Sequence, residues 1–398
     1  MLLNSDASVV SRRTAIHGLV VAGLASLSGS TQPISAASAD VAGVKDEAWA
    51  SYRCTPDQRG IAQTTLPAKP ELKWELASPD GWVAACAIVE DRVFAPALAG
   101  YLHCLDLKTG QEIWKYRSID NPDPKKFAPG FKAAPLVTAD TVYLGDEDGV
   151  LHALNRSSGE VRWKFATGAE IAGCVSMYQD KLLLASHDSF LYCLTLGGEE
   201  VWKFLTQDRI NCSPGVAEHF TFLAGCDEHL RVLDLRDGTE VRDVPMQSFL
   251  IASPALVDDL LYVGTHSGEV AAVNWKTGET AWRYRCEREM PVHASAAVTD
   301  DLVIVGGHDK LLHAIDRSTG ESKWRFATKG RIECSAAVVD DRVFFGSGDG
   351  NLYGVNLKTG MEAWKFNAGH PINAGIAVGE KSLVVGEDDS NGKLRCFR

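Results

Sequence analysis

The sequence predicts an all-β protein, an eight-bladed β-propeller of four-stranded antiparallel blades closed by an N-terminal strand that completes the last blade. A phrase of the form D-x-x-T-G-x-x-x-W returns at near-constant spacing, and each interval holds four short strand patterns. The two ends of the chain also supply complementary parts of one repeat. Repeats of about 40 residues with four strands each are typical of propeller blades.

The repeated phrase is clearest at residues 106–114, which read D-L-K-T-G-Q-E-I-W. An Asp or Asn that opens a turn accepts backbone hydrogen bonds, and the Gly adopts a positive φ at little steric cost. The large, flat Trp suits the packing of one blade on the next. Arg242 takes the place of one tryptophan. The predicted structural tryptophans are Trp74, Trp114, Trp163, Trp202, Trp282, Trp324 and Trp364.

Turn residues divide each repeat into four strands. In the repeat that ends near Trp364, we predict strands at 333–339, 342–346, 352–357 and 362–366. The chain stops at 393–398, after the third strand of a repeat, and a fourth strand with its tryptophan appears at 71–76. A blade divided between the termini indicates that the repeats close into a ring.

The predicted domain is therefore residues 71–398. Residues 40–70 contain Pro, Thr and Ala without a periodic pattern, and we predict an irregular lead-in that lies on the domain surface. On this interpretation, removal of residues 40–65 should have little effect, whereas removal of residues 40–78 should open the ring.

Residues 1–39 have the pattern of a twin-arginine-type signal peptide. Arg12 and Arg13 precede a modest apolar run, and Ala37-Ser38-Ala39 offers a cleavage site. The sequence thus predicts export to the periplasm or cell envelope. No cysteine lies near the cleavage site, so we do not expect a lipid anchor. The net charge of −12 disfavours nucleic acid as a partner.

The ten cysteines follow the repeat and form no C-x-x-C pair, which favours free, buried thiols. One repeat position carries His103, His152, Tyr192, His313 and Tyr353, which predicts a structural role. A second repeat position, in a turn, carries His187, His266 and His308. We predict no metal site and no catalytic residue, because equivalent positions of different blades are expected to lie far apart and the acidic turns lack the spaced ligands of a calcium loop.

The repeats vary most where each innermost strand begins, at the mouth of the central channel. The positions aligned there are Val83, Lys132, Ala172, Asn211, Ile251, His293, Glu333 and Asn373. Two residues deeper, the ring is uniformly small: Ala85, Ala134, Cys174, Ser213, Ser253, Ser295, Ser335 and Gly375. The connection 118–130 is longer than its equivalents. Loops on rigid scaffolds carry many binding functions, so we predict a docking surface made of this loop with Lys132, Asn211, His293, Glu333 and Asn373.

In its phrase and blade count, the chain over about residues 71–398 resembles the PQQ-like (quinoprotein-type) β-propeller repeat family, and within it the BamB-type outer-membrane assembly proteins. The resemblance implies an exported, non-catalytic scaffold that binds protein or peptide segments, without a cofactor. We also expect no transmembrane span and a monomer. The chain differs from BamB-type proteins in lacking the lipoprotein cysteine.

Two other functions stay open. A PQQ- or quinone-binding redox protein is the first, although PQQ-dependent dehydrogenases resemble one another in an adjacent Cys-Cys pair, a calcium site and a catalytic Asp on large insertions, which this sequence does not show. The second is a module that binds envelope carbohydrate, for which Trp82, Tyr101 and Trp275 are the spare aromatic residues.

Overall fold

The computed structural model describes Val44, residues 47–121, Asp123 and residues 125–398. These residues belong to one compact unit. The predicted signal peptide and its cleavage site lie outside the described residues. The described part of the chain folds into strands without any helix, and so it holds no helix long and apolar enough to cross a membrane.

The strands form eight four-stranded antiparallel sheets, which confirms the predicted eight-bladed propeller. The first strand is β1 (Leu72–Ala77). Blades 1 to 3 contain β2 (Ala87–Val89), β3 (Arg92–Pro96), β4 (Tyr101–Asp106), β5 (Glu112–Arg117); β6 (Leu136–Val137), β7 (Thr141–Gly145), β8 (Val150–Asn155), β9 (Val161–Ala166); β10 (Ser176–Tyr178), β11 (Lys181–Ala185), β12 (Phe190–Thr195) and β13 (Glu200–Leu205). Blades 4 and 5 contain β14 (Gly215–Ala217), β15 (Phe220–Ala224), β16 (His229–Asp234), β17 (Glu240–Pro245); β18 (Ala255–Val257), β19 (Leu260–Gly264), β20 (Glu269–Asn274) and β21 (Thr280–Arg285).

Blades 6 to 8 complete the ring. They contain β22 (Ala297–Val298), β23 (Leu302–Gly306), β24 (Leu311–Asp316), β25 (Ser322–Ala327); β26 (Ala337–Val339), β27 (Arg342–Gly346), β28 (Asn351–Asn356), β29 (Glu362–Asn367); β30 (Ala377–Gly379), β31 (Ser382–Gly386) and β32 (Lys393–Phe397). In blade 7, three strands lie within one residue of the prediction. The innermost strand begins at Ala337 rather than at Glu333, because residues 333–336 have no ladder partner within their own blade.

The N-terminal strand closes the ring as predicted. Strand β1 pairs antiparallel with β32, in the register Trp74↔Cys396, and the sheet order is β1-β32-β31-β30. Glu71 and Arg398 exchange two backbone hydrogen bonds, of 2.9 and 3.0 Å, at the end of this pairing. Chain ends that are more than 300 residues apart therefore meet in one blade.

The repeated phrase joins most blades to the next one in the ring. The indole Nε1 of Trp114 in blade 1 donates a hydrogen bond of 3.1 Å to the Arg156 carbonyl, in the turn after β8 of blade 2. Gly159 of that turn lies against the same indole. Equivalent indole bonds are made by Trp74, Trp163, Trp202, Trp282 and Trp324. Where Arg242 replaces the tryptophan, its guanidinium donates to the Thr277 carbonyl and its stem covers Gly278.

Trp364 has a different partner, because blade 8 lacks the continuous turn. Its ring packs edge-to-face on Phe397, with centroids 5.5 Å apart.

The ten cysteines are all buried and none forms a disulfide, as the sequence predicts. Burial raises the pKa of Cys54 and of Cys212 to about 12, so these thiols stay protonated and unreactive at neutral pH.

The lead-in does not lie on the surface, and this part of the sequence-based expectation is wrong. Residues 47–66 form no strand, yet they pass through the end of the channel opposite the mouth. The innermost strand of each blade has one edge that pairs with no other strand of its blade. In six blades, carbonyl groups of the lead-in accept hydrogen bonds from this edge. The backbone N–H groups that donate to lead-in carbonyls belong to Ile88, Val137, Val216, Leu256, Val298 and Val338, at 2.8 to 2.9 Å.

Side chains of the lead-in fill the channel itself. Arg53 is buried and donates to the carbonyls of Ala336 at 2.6 Å and Ala296 at 2.9 Å, on adjacent blades. Gln58 donates to the carbonyls of Ser213 and Pro214, both at 3.0 Å. The lead-in is therefore part of the core of the propeller.

Candidate functional site

The channel mouth has the two layers that the repeat alignment predicts. All eight mouth positions are partly or fully exposed, and seven of the eight positions two residues deeper are buried. The deep positions also bond the blades together in series. Each backbone N–H donates to the side chain of the next blade, at 2.8 to 3.0 Å, along Ala134, Cys174, Ser213, Ser253, Ser295 and Ser335.

The lead-in contacts this hydrogen-bonded series through Tyr52. The hydroxyl of Tyr52 lies 3.0 Å from Ser295 Oγ and 3.1 Å from Ser335 Oγ. Tyr52 also packs on Ala85, Ala134 and their neighbours in the deep ring. The lead-in thus occupies the channel below the mouth, and the mouth is the open part.

Lys132 stands between two carboxylates. Its Nζ lies 2.8 Å from Glu147 Oε1 and 3.1 Å from Glu170 Oε1. Burial disfavours the charged amine, but the hydrogen bonds to Glu147 and Glu170 outweigh it and raise the pKa of Lys132. The same Glu147 accepts a bond from the backbone N–H of Gly130, at the end of the long loop.

Asn211 continues this network into blade 4. Its Oδ1 lies 2.7 Å from His187 Nε2, and its Nδ2 donates to Cys226 Sγ at 2.8 Å. His187 Nδ1 in turn lies 3.7 Å from Glu170. Lys132 and Asn211 therefore belong to one polar arc that crosses blades 2 to 4.

His293 and Glu333 belong to a second arc, which crosses blades 5 to 7. His293 Nε2 lies 3.0 Å from His266 Nδ1, and its ring centroid lies 4.5 Å from that of His308. His308 Nε2 lies 3.0 Å from Glu333 Oε1. Burial and the imidazoles of His308 and His266, with Arg331, lower the pKa of His293 to about 4. Its imidazole is neutral at physiological pH.

This second arc overturns the expectation that equivalent histidines stand too far apart to converge. His266 and His308 occupy the same turn in adjacent blades, and His293, from the mouth position between them, contacts both. The last predicted mouth residue, Asn373, lies apart from both arcs and donates to Asp388 Oδ2 at 3.0 Å. The five predicted residues thus share the mouth but make their polar contacts in three separate groups.

The long loop is fixed at its base and exposed at its tip. Arg117 donates to the carbonyls of Asn121, Asp123 and Lys126, with the Asp123 bond at 2.7 Å. Ser118 Oγ donates to the Pro129 carbonyl at 2.8 Å. Phe127 at the tip is 74% exposed. Hydrogen bonds thus hold the base of the loop, while its tip presents an apolar side chain to solvent.

The repeat position shared by His and Tyr has a structural role, as predicted, but the sequence analysis did not identify the residues that it contacts. His152 is buried, with Nε2 2.8 Å from Asp146 Oδ2 and Nδ1 2.9 Å from the Tyr116 hydroxyl of the preceding blade. His313 has the same partners, Asp309 and Tyr284. Where the position is Tyr192 or Tyr353, its hydroxyl binds the turn Asp and the preceding blade supplies Phe165 or Phe326. The signal available in the sequence was the residue two positions after the tryptophan of the preceding blade. In these four blades it is Tyr where the next blade carries His, and Phe where the next blade carries Tyr.

The spare aromatic residues do not form a carbohydrate platform. Trp82 is fully buried and donates to the Gly392 carbonyl at 3.1 Å. Trp275 is buried against Phe220 and Phe222. Tyr101 is half-buried, with Lys115 and Arg117 over its ring.

These features define a class: a closed eight-bladed propeller with indole-to-turn contacts between blades and a variable channel mouth. A family profile described as "Outer membrane protein assembly factor BamB" matches residues 67–177, 147–290 and 277–394. The matches cover most of the chain, which therefore belongs to this family.

Solved structures share the fold at low sequence identity. BamB from Moraxella catarrhalis is 18% identical, with a TM-score of 0.69, over 83% of this chain and 97% of that one. The quinohemoprotein alcohol dehydrogenase from Comamonas testosteroni is 12% identical, with a TM-score of 0.76, over 91% of this chain and 83% of that one. An assembly protein and an enzyme thus share this architecture.

Among curated proteins, the chain is similar to part of the beta-alanine-activating enzyme. The identity is 28% over 106 residues for the Homo sapiens protein and 31% over 114 residues for that of Mus musculus. These matches cover 24% and 27% of this chain but only a tenth of each relative's length.

Proposed function

We propose that the protein is an exported, non-catalytic scaffold of the cell envelope that docks protein or peptide segments at the mouth of its propeller. The observation that carries this proposal is the long loop, whose tip presents Phe127 from a base held by Arg117. Membership of the BamB family supports the same role.

The apolar side chains around the mouth suit an apolar partner segment. Phe249 and Met290 are exposed large apolar residues, and they lie on blade-to-blade connections that emerge on the same face as the long loop. Lys125 and Lys126 are exposed next to Phe127, on a chain whose net charge is −12. A partner segment that places an apolar side chain beside carboxylates would complement this tip.

The location in the envelope is part of the proposal. Its support is the twin-arginine pattern with Ala37-Ser38-Ala39, together with the family. Replacement of Arg12 and Arg13 by Lys should leave uncleaved precursor in the cytoplasm. A mature N-terminus well before Asp40 would contradict the predicted cleavage site.

The mouth residues offer little to the alternative ligands. An anionic quinone such as PQQ needs uncompensated cations, and the single lysine among the mouth positions, Lys132, is already held by two glutamates. These residues therefore do not fit a bound quinone, whose colour in the purified protein would be the direct sign of one. The spare tryptophans Trp82 and Trp275 are buried and do not provide the exposed faces on which a carbohydrate would stack.

Site-specific photo-crosslinking tests the docking surface. A photoreactive phenylalanine analogue at position 127 should form crosslinks to envelope proteins in intact cells. The matched control is the same analogue at Met361, which is 70% exposed on a turn of the opposite face.

A second variant tests the chemistry of the tip. In this variant Phe127→Ser is combined with Lys125→Ser and Lys126→Ser, and the photoreactive residue is placed at position 249 instead. The crosslink from position 249 to the partner should be abolished. The melting temperature should not change, because all three side chains are exposed. Equal crosslinking from positions 127 and 361 would overturn the assignment of the mouth face.

A further inference from the structure

Three side chains at the mouth bring metal-ligating atoms together. The ligand atoms of His293, His308 and Glu333 all lie within 4.8 Å of one another. His293 immediately follows the connection into blade 6, His308 lies in the turn between β23 and β24, and Glu333 precedes β26 of blade 7. These three residues, called the His-His-Glu cluster below, are partly exposed, so an ion can reach them from solvent.

Hydrogen bonding within the protein does not account for this arrangement. His308 Nε2 is buried and makes no hydrogen bond of acceptable geometry, although Glu333 Oε1 lies 3.0 Å away. A buried polar atom without a partner is costly and calls for an explanation, such as an ion. Elsewhere in the mouth, both side-chain polar atoms of Asn211 have hydrogen-bond partners, whereas Asn373 donates through Nδ2 and its Oδ1 is buried without a partner.

We propose that the His-His-Glu cluster binds a divalent transition-metal ion, with Zn²⁺ as the first candidate. Two imidazole nitrogens and one carboxylate oxygen form a ligand set that zinc takes in proteins, and they leave the fourth position open. Metal–ligand distances of about 2.0–2.2 Å place neighbouring ligand atoms about 3.3 Å apart. The distance of 3.0 Å between His308 Nε2 and Glu333 Oε1 is close to that spacing.

The surrounding structure holds the three ligands in place. The backbone N–H of His308 donates to the Pro291 carbonyl at 2.9 Å. Two residues beyond His293 and Glu333, Ser295 and Ser335 are joined through the deep ring at 2.9 Å. His266 Nδ1, 3.0 Å from His293 Nε2, is the positioning residue that orients the His293 ring.

One neighbouring cation competes with the ion. Arg331 Nε lies 3.3 Å from Glu333 Oε1, and the Arg331 side chain is 56% exposed. Arg331 balances the carboxylate in the metal-free chain and can turn into solvent when an ion binds. Removal of this arginine should therefore strengthen metal binding.

A second group of ligand-type residues, Cys286, Asp309 and His313, differs from the His-His-Glu cluster in its burial and in its hydrogen bonds. All three are buried, and both nitrogens of His313 already have partners, in Asp309 and Tyr284. We therefore assign that group to the packing of blades 5 and 6, and assign metal binding to the mouth cluster alone.

Zn²⁺ titration of the metal-free, untagged full chain by calorimetry tests the proposal, with Co²⁺ absorption as a second readout. We expect one ion per chain with a micromolar or lower Kd, and a Co²⁺ spectrum of a four-coordinate site. His293→Ala, His308→Ala and Glu333→Gln should each weaken binding by more than about 100-fold, whereas His266→Ala should weaken it by roughly tenfold. Arg331→Ala should tighten it.

His187→Ala is the matched control, because His187 occupies the turn position equivalent to that of His308 but binds Asn211. It should leave the Kd unchanged. Thermal melts of the metal-free variants establish that each one is folded. Absence of micromolar Zn²⁺ binding in the unmodified chain would overturn the proposal, as would binding that survives both His308→Ala and Glu333→Gln in folded variants.

Discussion

At the scale of single residues, the glycine of the repeated phrase has two roles. Gly159 has φ of 75°, and a Cβ built on it would lie 2.6 Å from the Trp114 ring. Only glycine meets both demands, because other residues are strained at this φ and would also displace the indole. The turn is therefore shaped for the tryptophan of the preceding blade as much as for its own strands.

We expect Gly159→Ala to lower the free energy of unfolding by at least about 1–2 kcal/mol, from the cost of the left-handed backbone alone. Chemical denaturation measures the effect. Gly197→Ala is the control, because Gly197 is exposed and a Cβ there would have its nearest neighbour at an ordinary 3.5 Å. Equal stabilities of the two variants would contradict this role of the turn.

The buried histidines show a second rule at the residue scale. Asp146 can only accept, so His152 carries its proton on Nε2, and its Nδ1 accepts from the Tyr116 hydroxyl. Where the histidine is replaced by Tyr192, the blade before it presents Phe165 instead of a tyrosine. The residue of the preceding blade is matched to the residue at the His/Tyr position. A buried histidine Nδ1 needs a hydrogen-bond donor, which Tyr116 supplies, whereas a tyrosine in place of the histidine needs no such donor.

We expect Tyr116→Phe to cost about 1–3 kcal/mol of stability, because it leaves His152 Nδ1 buried without a partner. Addition of His152→Tyr should restore most of the loss, since it recreates the Phe165–Tyr192 pair. A double-mutant cycle by denaturation measures the coupling. If the two effects simply add, the pairing is not the cause.

The same histidine makes stability depend on pH. Burial is the largest cause that lowers the pKa of His152 below its ordinary value of 6.5 in the folded chain. The unfolded chain therefore takes up this proton first, and the stabilising contribution is complete above pH 6.5 and is lost as the pH falls below it. The double variant should lose less stability than the unmodified chain between pH 6.5 and about 5. Identical pH profiles would exclude His152 as a source.

At the scale of elements, the lead-in acts as an inner lining of the propeller. Its carbonyls accept hydrogen bonds from six inner strands, and Arg53 and Gln58 bond across the channel. Free strand edges invite further pairing or aggregation. The lead-in therefore satisfies an edge that a ring of short inner strands leaves open.

A chain that begins at Pro67 should be clearly less stable than one that begins at Glu47, because each lost hydrogen bond contributes about 0.5–1.5 kcal/mol. Melting temperatures give the difference. Hydrogen exchange should show faster exchange at the Val137, Leu256 and Val338 amides. Equal melting temperatures would mean that the lead-in adds nothing, as its irregular sequence first suggested.

At the scale of the whole molecule, ring closure depends on one pairing. In blade 8, strand β1 comes from the N-terminal end of the described chain and the other three strands come from the C-terminal end. Next to β1, Glu71 and Arg398 face each other in a hydrogen-bonded pair. Directly opposed residues of such a pair have Cα atoms about 5.5 Å apart, which is compatible with a disulfide.

We expect the Glu71→Cys, Arg398→Cys double variant to form a disulfide that stabilises the propeller by about 2–4 kcal/mol. The native cysteines are buried and should not compete. The comparison is between melting temperatures with and without reductant, and each single variant is the control. An oxidised chain with an unchanged melting temperature would show that opening of this blade is not an early step in unfolding.

The number of blades, the four-strand unit, the structural tryptophans and the closing strand could all be predicted from the amino-acid sequence, because they follow from turn chemistry and periodicity along the chain. The sequence also located the varied mouth. The sequence did not predict which side chains meet across blades, as His266, His293 and His308 do, or the path of the lead-in through the channel. The physical reason is that contacts between blades depend on the close approach of residues about 40 positions apart, and the lead-in bonds through backbone carbonyls, which leave no pattern in its amino acids.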